Sequence, residues 1–128
     1  MKHFLLLSLL LLPALLLGCG AGHPRITSIV VSPATAQTPV SANQTVSYTA
    51  TAHFSNNTSR QLTVADGLTW ATSSNTIAGI NSDGTATCIA PGSVTITATA
   101  PSQLVVMVGS GISTNSPKVS GTASLNCT

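Results

Sequence analysis

Side chains able to do chemistry are few in this chain. They are Cys19, Cys88 and Cys127, then His3, His23 and His53, and two carboxylates, Asp66 and Asp83, with no glutamate. A serine nucleophile needs a base and a group that orients it. His53 with one of the two aspartates would have to supply both, and nothing in their spacing suggests it. Each aspartate precedes a glycine, Asp66-Gly67 and Asp83-Gly84, and turn formation accounts for both. Calcium sites draw on several carboxylates, and His23 and His53 have no partner at metal-ligand spacing. These residues point away from an enzyme, and no cofactor or metal site is expected. What chemistry remains belongs to the thiols.

Cys19 closes an unusual leader. Met1-Lys2-His3-Phe4 is a short positive start, Leu5–Leu17 is almost pure leucine, and small residues follow. That is the three-part plan of a secretory signal peptide. The apolar run is short of the roughly 20 residues that a membrane-spanning helix needs, and Pro13 weakens it further. Leu16-Leu17-Gly18-Cys19 resembles the lipobox of bacterial lipoproteins. The resemblance implies cleavage before Cys19, a diacylglyceryl group on its sulfur and acylation of the new amino terminus. Residues 1–18 would be the signal peptide and 19–25 a lipidated tether. The rival reading is an ordinary signal peptide cut among Gly18–Gly22. Gly20 follows the cysteine instead of aspartate, which by resemblance to Gram-negative lipoproteins favours the outer membrane of a bacterial envelope.

Removal of the leader leaves about 110 residues, enough for one domain with a core and too few for two. The mature charges are Arg25, Arg60, Lys118, Asp66 and Asp83. This balance offers no basic patch for nucleic acid and no polybasic membrane footprint. Valine, isoleucine, leucine and alanine recur at regular spacing, so a folded domain is expected, with threonine, serine and asparagine as ordinary solvated surface.

The apolar spacing is that of strands. "ITSIVVS" is β-branched and stops at Pro33, as an edge strand does. In "TVSYTATAHF", Val46, Tyr48, Ala50, Ala52 and Phe54 alternate with polar residues, the period of a half-buried strand. Further strands are expected at Leu62–Val64, around Leu68 and Trp70, between Ile77 and Ile80, and from Thr85 to Ile89 after an Asp83-Gly84 hairpin. "VTITATA", "LVVMV" and "VSGTASLNC" complete the set, with no helix. Seven to nine short strands separated by turn residues argue an all-β sandwich of two sheets.

"LTWATSSNTIAGINSDGTATCIAPGSVTITATA" resembles the bacterial immunoglobulin-like domain of group 2, with its tryptophan segment, Asp-Gly hairpin, Ala-Pro-Gly turn and Thr-Ile-Thr-Ala strand. "ITSIVVSPATAQ" and "VSYTATAHFS" match that family's opening strands. The resemblance covers about residues 26–100 and implies an immunoglobulin-like β-sandwich over 26–128, with 103–118 as an insertion. Such domains occur in surface proteins, in adhesins and as spacers.

With Cys19 lipidated, Cys88 and Cys127 remain, an even number in an oxidising compartment. A disulfide is expected in preference to two free thiols. Trp70, Tyr48 and Phe54 are assigned to the core in preference to a sugar-stacking platform. The expected function is therefore surface interaction, adhesion or structural support by one module anchored to the membrane through its lipid. Its partner would be an unidentified protein or glycan, met through Ser55–Gln61 and Gln103–Lys118. The alternatives are a carbohydrate-binding surface lipoprotein and an accessory subunit of a larger envelope complex.

Overall fold

The computed structural model describes residues 22–41, 44–104 and 116–128. The leader, Cys19 and all of "LVVMV" but Leu104 therefore lie outside the described residues. Among the described residues ten strands run in chain order: β1 (Ile26–Ser32), β2 (Thr35–Thr38), β3 (Thr45–Ser47), β4 (Thr49–Phe54), β5 (Ser59–Gln61), β6 (Thr69–Thr72), β7 (Ala78–Ile80), β8 (Thr85–Cys88), β9 (Gly92–Pro101) and β10 (Lys118–Cys127). A 3-10 turn spans Val64–Asp66, between β5 and β6.

The strands form three hydrogen-bonded sheets, β1-β4-β5, β3-β8-β7 and β2-β10-β9-β6. The first two are continuous through Tyr48, which separates β3 from β4. Together they make one layer of a β-sandwich-like all-β fold, and the four-stranded sheet makes the other. The count among the described residues exceeds the expected seven to nine because "TVSYTATAHF" divides at Tyr48 and because the short strands β2 and β5 were not expected. Pro33 has no N–H to donate to a ladder, so β1 ends before it and β2 joins the opposite sheet, parallel to β10. Alternation through "TVSYTATAHF" holds as expected, but β3 pairs with β8 while β4 pairs with β1 and β5.

Inward positions match the alternation. Tyr48, Ala50 and Ala52 are buried on one layer, and Val94, Ile96, Ala98, Ala100, Ala123 and Leu125 on the other. The Tyr48 hydroxyl crosses between layers and donates to the Ser124 carbonyl at 3.2 Å. Burial pushes that phenol's pKa up, which keeps its proton in place for this bond. The expected Leu62–Val64 strand is absent. Leu62 is buried, but Val64 is exposed and begins the 3-10 turn that carries the chain between layers.

Cys88 ends β8 and Cys127 ends β10, and the two are joined by a disulfide with a Cα–Cα distance of 5.6 Å. The bridge staples one layer to the other and closes a span of 39 residues. In the chain-entropy model such a loop contributes about 4 kcal/mol. Replacing both cysteines by alanine should lower unfolding free energy by about that amount, read from a denaturant midpoint; an unchanged midpoint would contradict the assignment. At Gly121 an added Cβ would collide with the carbonyl oxygen of Ile29 in β1. Gly121→Ala should therefore cost about 1–3 kcal/mol in the same measurement.

Candidate functional site

Backbone bonds define the end of the sandwich where the described chain begins. Ile26 N–H donates to the Ser102 carbonyl at 2.7 Å, and Ser102 N–H donates to the Pro117 carbonyl at 2.7 Å. Ser55 N–H donates to the Arg25 carbonyl at 2.9 Å. The Phe54–Thr58 turn is closed by Phe54 N–H to the Thr58 carbonyl at 2.8 Å, with Asn57 at φ 63°, a value asparagine tolerates. Ser55–Gln61 and the described parts of Gln103–Lys118 thus share one end with the entering chain. The opposite end carries Pro39-Val40, Ser73–Thr76 and Ile89–Gly92, together with the disulfide. Val40 and Ile89 are exposed there.

At the entry end a groove of about 470 Å³ is lined by His23, Pro24, Phe54, Thr58, Arg60 and Leu104, among others. Arg60 sits 5.9 Å from the centroid of the Phe54 ring, within cation–π range. Its guanidinium forms a two-pronged pair with Asp66, at 2.7 and 3.0 Å. Asp66 also accepts from the Thr63 N–H at 2.9 Å and the Thr63 hydroxyl at 3.2 Å. The hydrogen bonds from Arg60 are the main reason the Asp66 carboxyl is held at about 2 against an ordinary 3.8; partial burial opposes the shift and Thr63 assists it. Asp83 serves its hairpin, accepting from the Thr85 N–H at 3.1 Å. Among the described residues no group of His, Cys, Asp or Glu could hold a metal ion. No helix among them is long and apolar enough to cross a membrane.

Trp70 is half-buried, and its ring lies so close over Gly84 that a Cβ there would stand 3.1 Å away. The ring packs against the core and the β7–β8 hairpin, in keeping with the core role expected for it.

One feature went unseen in the sequence. The alternating threonines come into register on the outer face of the four-stranded sheet. Thr69, Thr99 and Ser120 form one row, Ala71, Thr97 and Thr122 the next, then Thr95, Ser124 and Thr35, and finally Ser93, Asn126 and Gln37. Strand geometry spaces such a grid at about 4.8 Å across strands and about 6.7 Å along them. Thr99 and Ser120 share a hydroxyl bond of 2.8 Å, and the Ser93 hydroxyl donates to Asn126 at 3.1 Å.

No known family profile matches the chain. It is similar to Ice-binding protein 1 of Shewanella frigidimarina (strain NCIMB 400), at 35% identity over 108 residues. The match takes in 76% of this chain and 12% of that protein, so the chain spans about an eighth of the length of the curated relative it matches.

The depressed pKa of Asp66 has a signed consequence. Stability from the Arg60 pair is complete above the ordinary aspartate value and is lost as pH falls from about 3.8 towards about 2. Arg60 is half exposed, so the loss should be at most ~1 kcal/mol. Asp66→Asn should flatten this part of the stability–pH curve, measured by denaturant titration at several pH values; an unaltered slope would contradict the assignment.

Proposed function

We propose that this chain is an immunoglobulin-like module of the bacterial group 2 type, held at the cell envelope by a lipid on Cys19, and that it works in surface interaction or structural support. The strand arrangement is the observation that carries the module reading. Ordered by pairing, one layer runs β1, β3/β4, β8, β7 and the other β6, β9, β10. Lettered by chain order with the short strands β2, which flanks β10, and β5 set aside, they read A-B-E-D and C-F-G, which supports a constant-type immunoglobulin order. The anchor rests on the lipobox resemblance of Leu16–Cys19. An extended stretch over residues 19–25 reaches at most about 25 Å, so the entry end would lie near the bilayer. The loops expected to make contacts, Ser55–Gln61 and Gln103–Lys118, would then face the membrane. The end with Val40 and Ile89 would face outwards and offer the contact surface for a protein or glycan partner. Palmitate labelling in cells tests the anchor. Wild type should incorporate label and Cys19→Ser should not; equal labelling would overturn the reading.

A second reading is favoured by the hydroxyl grid together with the ice-binding relative. A charge-free array of threonine and serine hydroxyls at regular spacing suits an ordered water surface. Ice recrystallisation should then be inhibited by the wild type and much less by Thr122→Lys, which places a charge mid-grid. Equal activity, or none in either protein, would remove this option.

A further inference from the structure

We infer that the entry end of the sandwich is a cationic seat for the headgroups of anionic phospholipids, which holds the module upright on its membrane. The inference rests on the proposed lipid anchor and adds what the tethered end does there.

Beyond Cys19 the basic side chains are His23, Arg25, His53, Arg60 and Lys118, and the carboxylates are Asp66 and Asp83. The sequence scatters them over almost the whole domain. Strand register gathers the basic side chains, Arg25, Arg60 and Lys118 among them, at one end. Arg25 precedes Ile26, which bonds to Ser102; Ser102 bonds to Pro117, the neighbour of Lys118. Lys118 itself pairs with Pro101 at the top of β9. Phe54, whose ring carries Arg60, pairs with Ile26, and His53 pairs with Ser28 and Ser59. His23 and Arg60 line the same groove.

The carboxylates do not cancel this charge. Asp66 is engaged by Arg60, which leaves Arg25 and Lys118 with no carboxylate partner among the described residues. Asp83 lies on the β7–β8 hairpin, whose Gly84 carbonyl accepts from the Tyr48 N–H, well below the entry end. Residues 105–115 carry no ionisable side chain in the sequence, and neither do residues 39–41, 73–77 and 89–92 of the opposite end. The domain is therefore electrically polarised along its long axis, positive where the tether enters.

Two cations could not recruit a free protein to a membrane. An anchored one needs only orientation. Each Arg or Lys near an anionic leaflet favours the docked state about fivefold, so Arg25 and Lys118 together favour it about 30-fold. The attraction falls off within about 10 Å at moderate salt, so it acts on the end that the tether keeps close and not on the far one.

The test uses the full chain expressed in a bacterial host, purified from membranes and checked by intact mass for lipid on Cys19. It is reconstituted into vesicles of phosphatidylcholine, with or without phosphatidylglycerol, and amide hydrogen exchange is followed. With phosphatidylglycerol, Ser55–Arg60 and Pro101–Leu104 should exchange several-fold more slowly, while 73–77 should not change. Raised salt or Arg25→Gln/Lys118→Gln should remove the difference, with unaltered exchange at 73–77 reporting that the variant is folded. Equal exchange on the two vesicles, or slowing that survives in the double variant, would overturn the seat and leave the anchor standing. An unmodified Cys19 would overturn the anchor and the seat together.

Discussion

Gly121 has no side chain where the carbonyl of Ile29 needs the space, and this contact sets how near the two layers come. Around it the interior is built from small residues: Ala50, Ala52, Ala98 and Ala123 are buried, and the largest fully buried side chains are Tyr48, Ile96 and Leu125. Close approach is what allows the Tyr48 hydroxyl on one layer to reach the Ser124 carbonyl on the other. It also limits stability. Apolar burial contributes about 25 cal/mol per Å², and an alanine has little area to bury. A thin core of this kind has less hydrophobic stabilisation to set against chain entropy. The Cys88–Cys127 bridge offsets that deficit by removing entropy from the unfolded chain instead of adding contacts to the folded one.

The long strands were legible because each buries one face. Val94, Ile96, Ala98 and Ala100 in β9, and Gly121, Ala123 and Leu125 in β10, alternate as the pleat demands. Alternation reports which face is buried and not which strand is the neighbour. The break at Tyr48 was therefore invisible, since its side chain stays in phase while the pairing passes from β8 to β1. β2 escaped because four residues between two prolines carry too short a pattern. Leu62–Val64 was misread because Leu62 and Val64 have the spacing of a strand, although Thr63 and Asp66 close a 3-10 turn over them. The disulfide was legible from the cysteine number together with the expectation of an oxidising compartment.

The surface was far less legible. The hydroxyl grid exists only once β2, β10, β9 and β6 lie side by side, and the cationic end joins Arg25 to Lys118 across most of the domain. Each threonine and each charge was visible singly, and register decided their company. The same register separates the two ends of the sandwich by character. One end receives the chain and carries the positive charge. The other carries the bridge, Val40 and Ile89, and its loops are without ionisable side chains.

In the proposed arrangement these ends have different neighbours, membrane for the first and partner for the second. Site-specific photocrosslinking in intact cells addresses that claim most directly, with a photoreactive residue placed at Asn56 in one variant and at Asn75 in another. The expected result is lipid adducts from Asn56 and protein or glycan adducts from Asn75. Lipid adducts from Asn75, or the same adducts from both positions, would contradict the account.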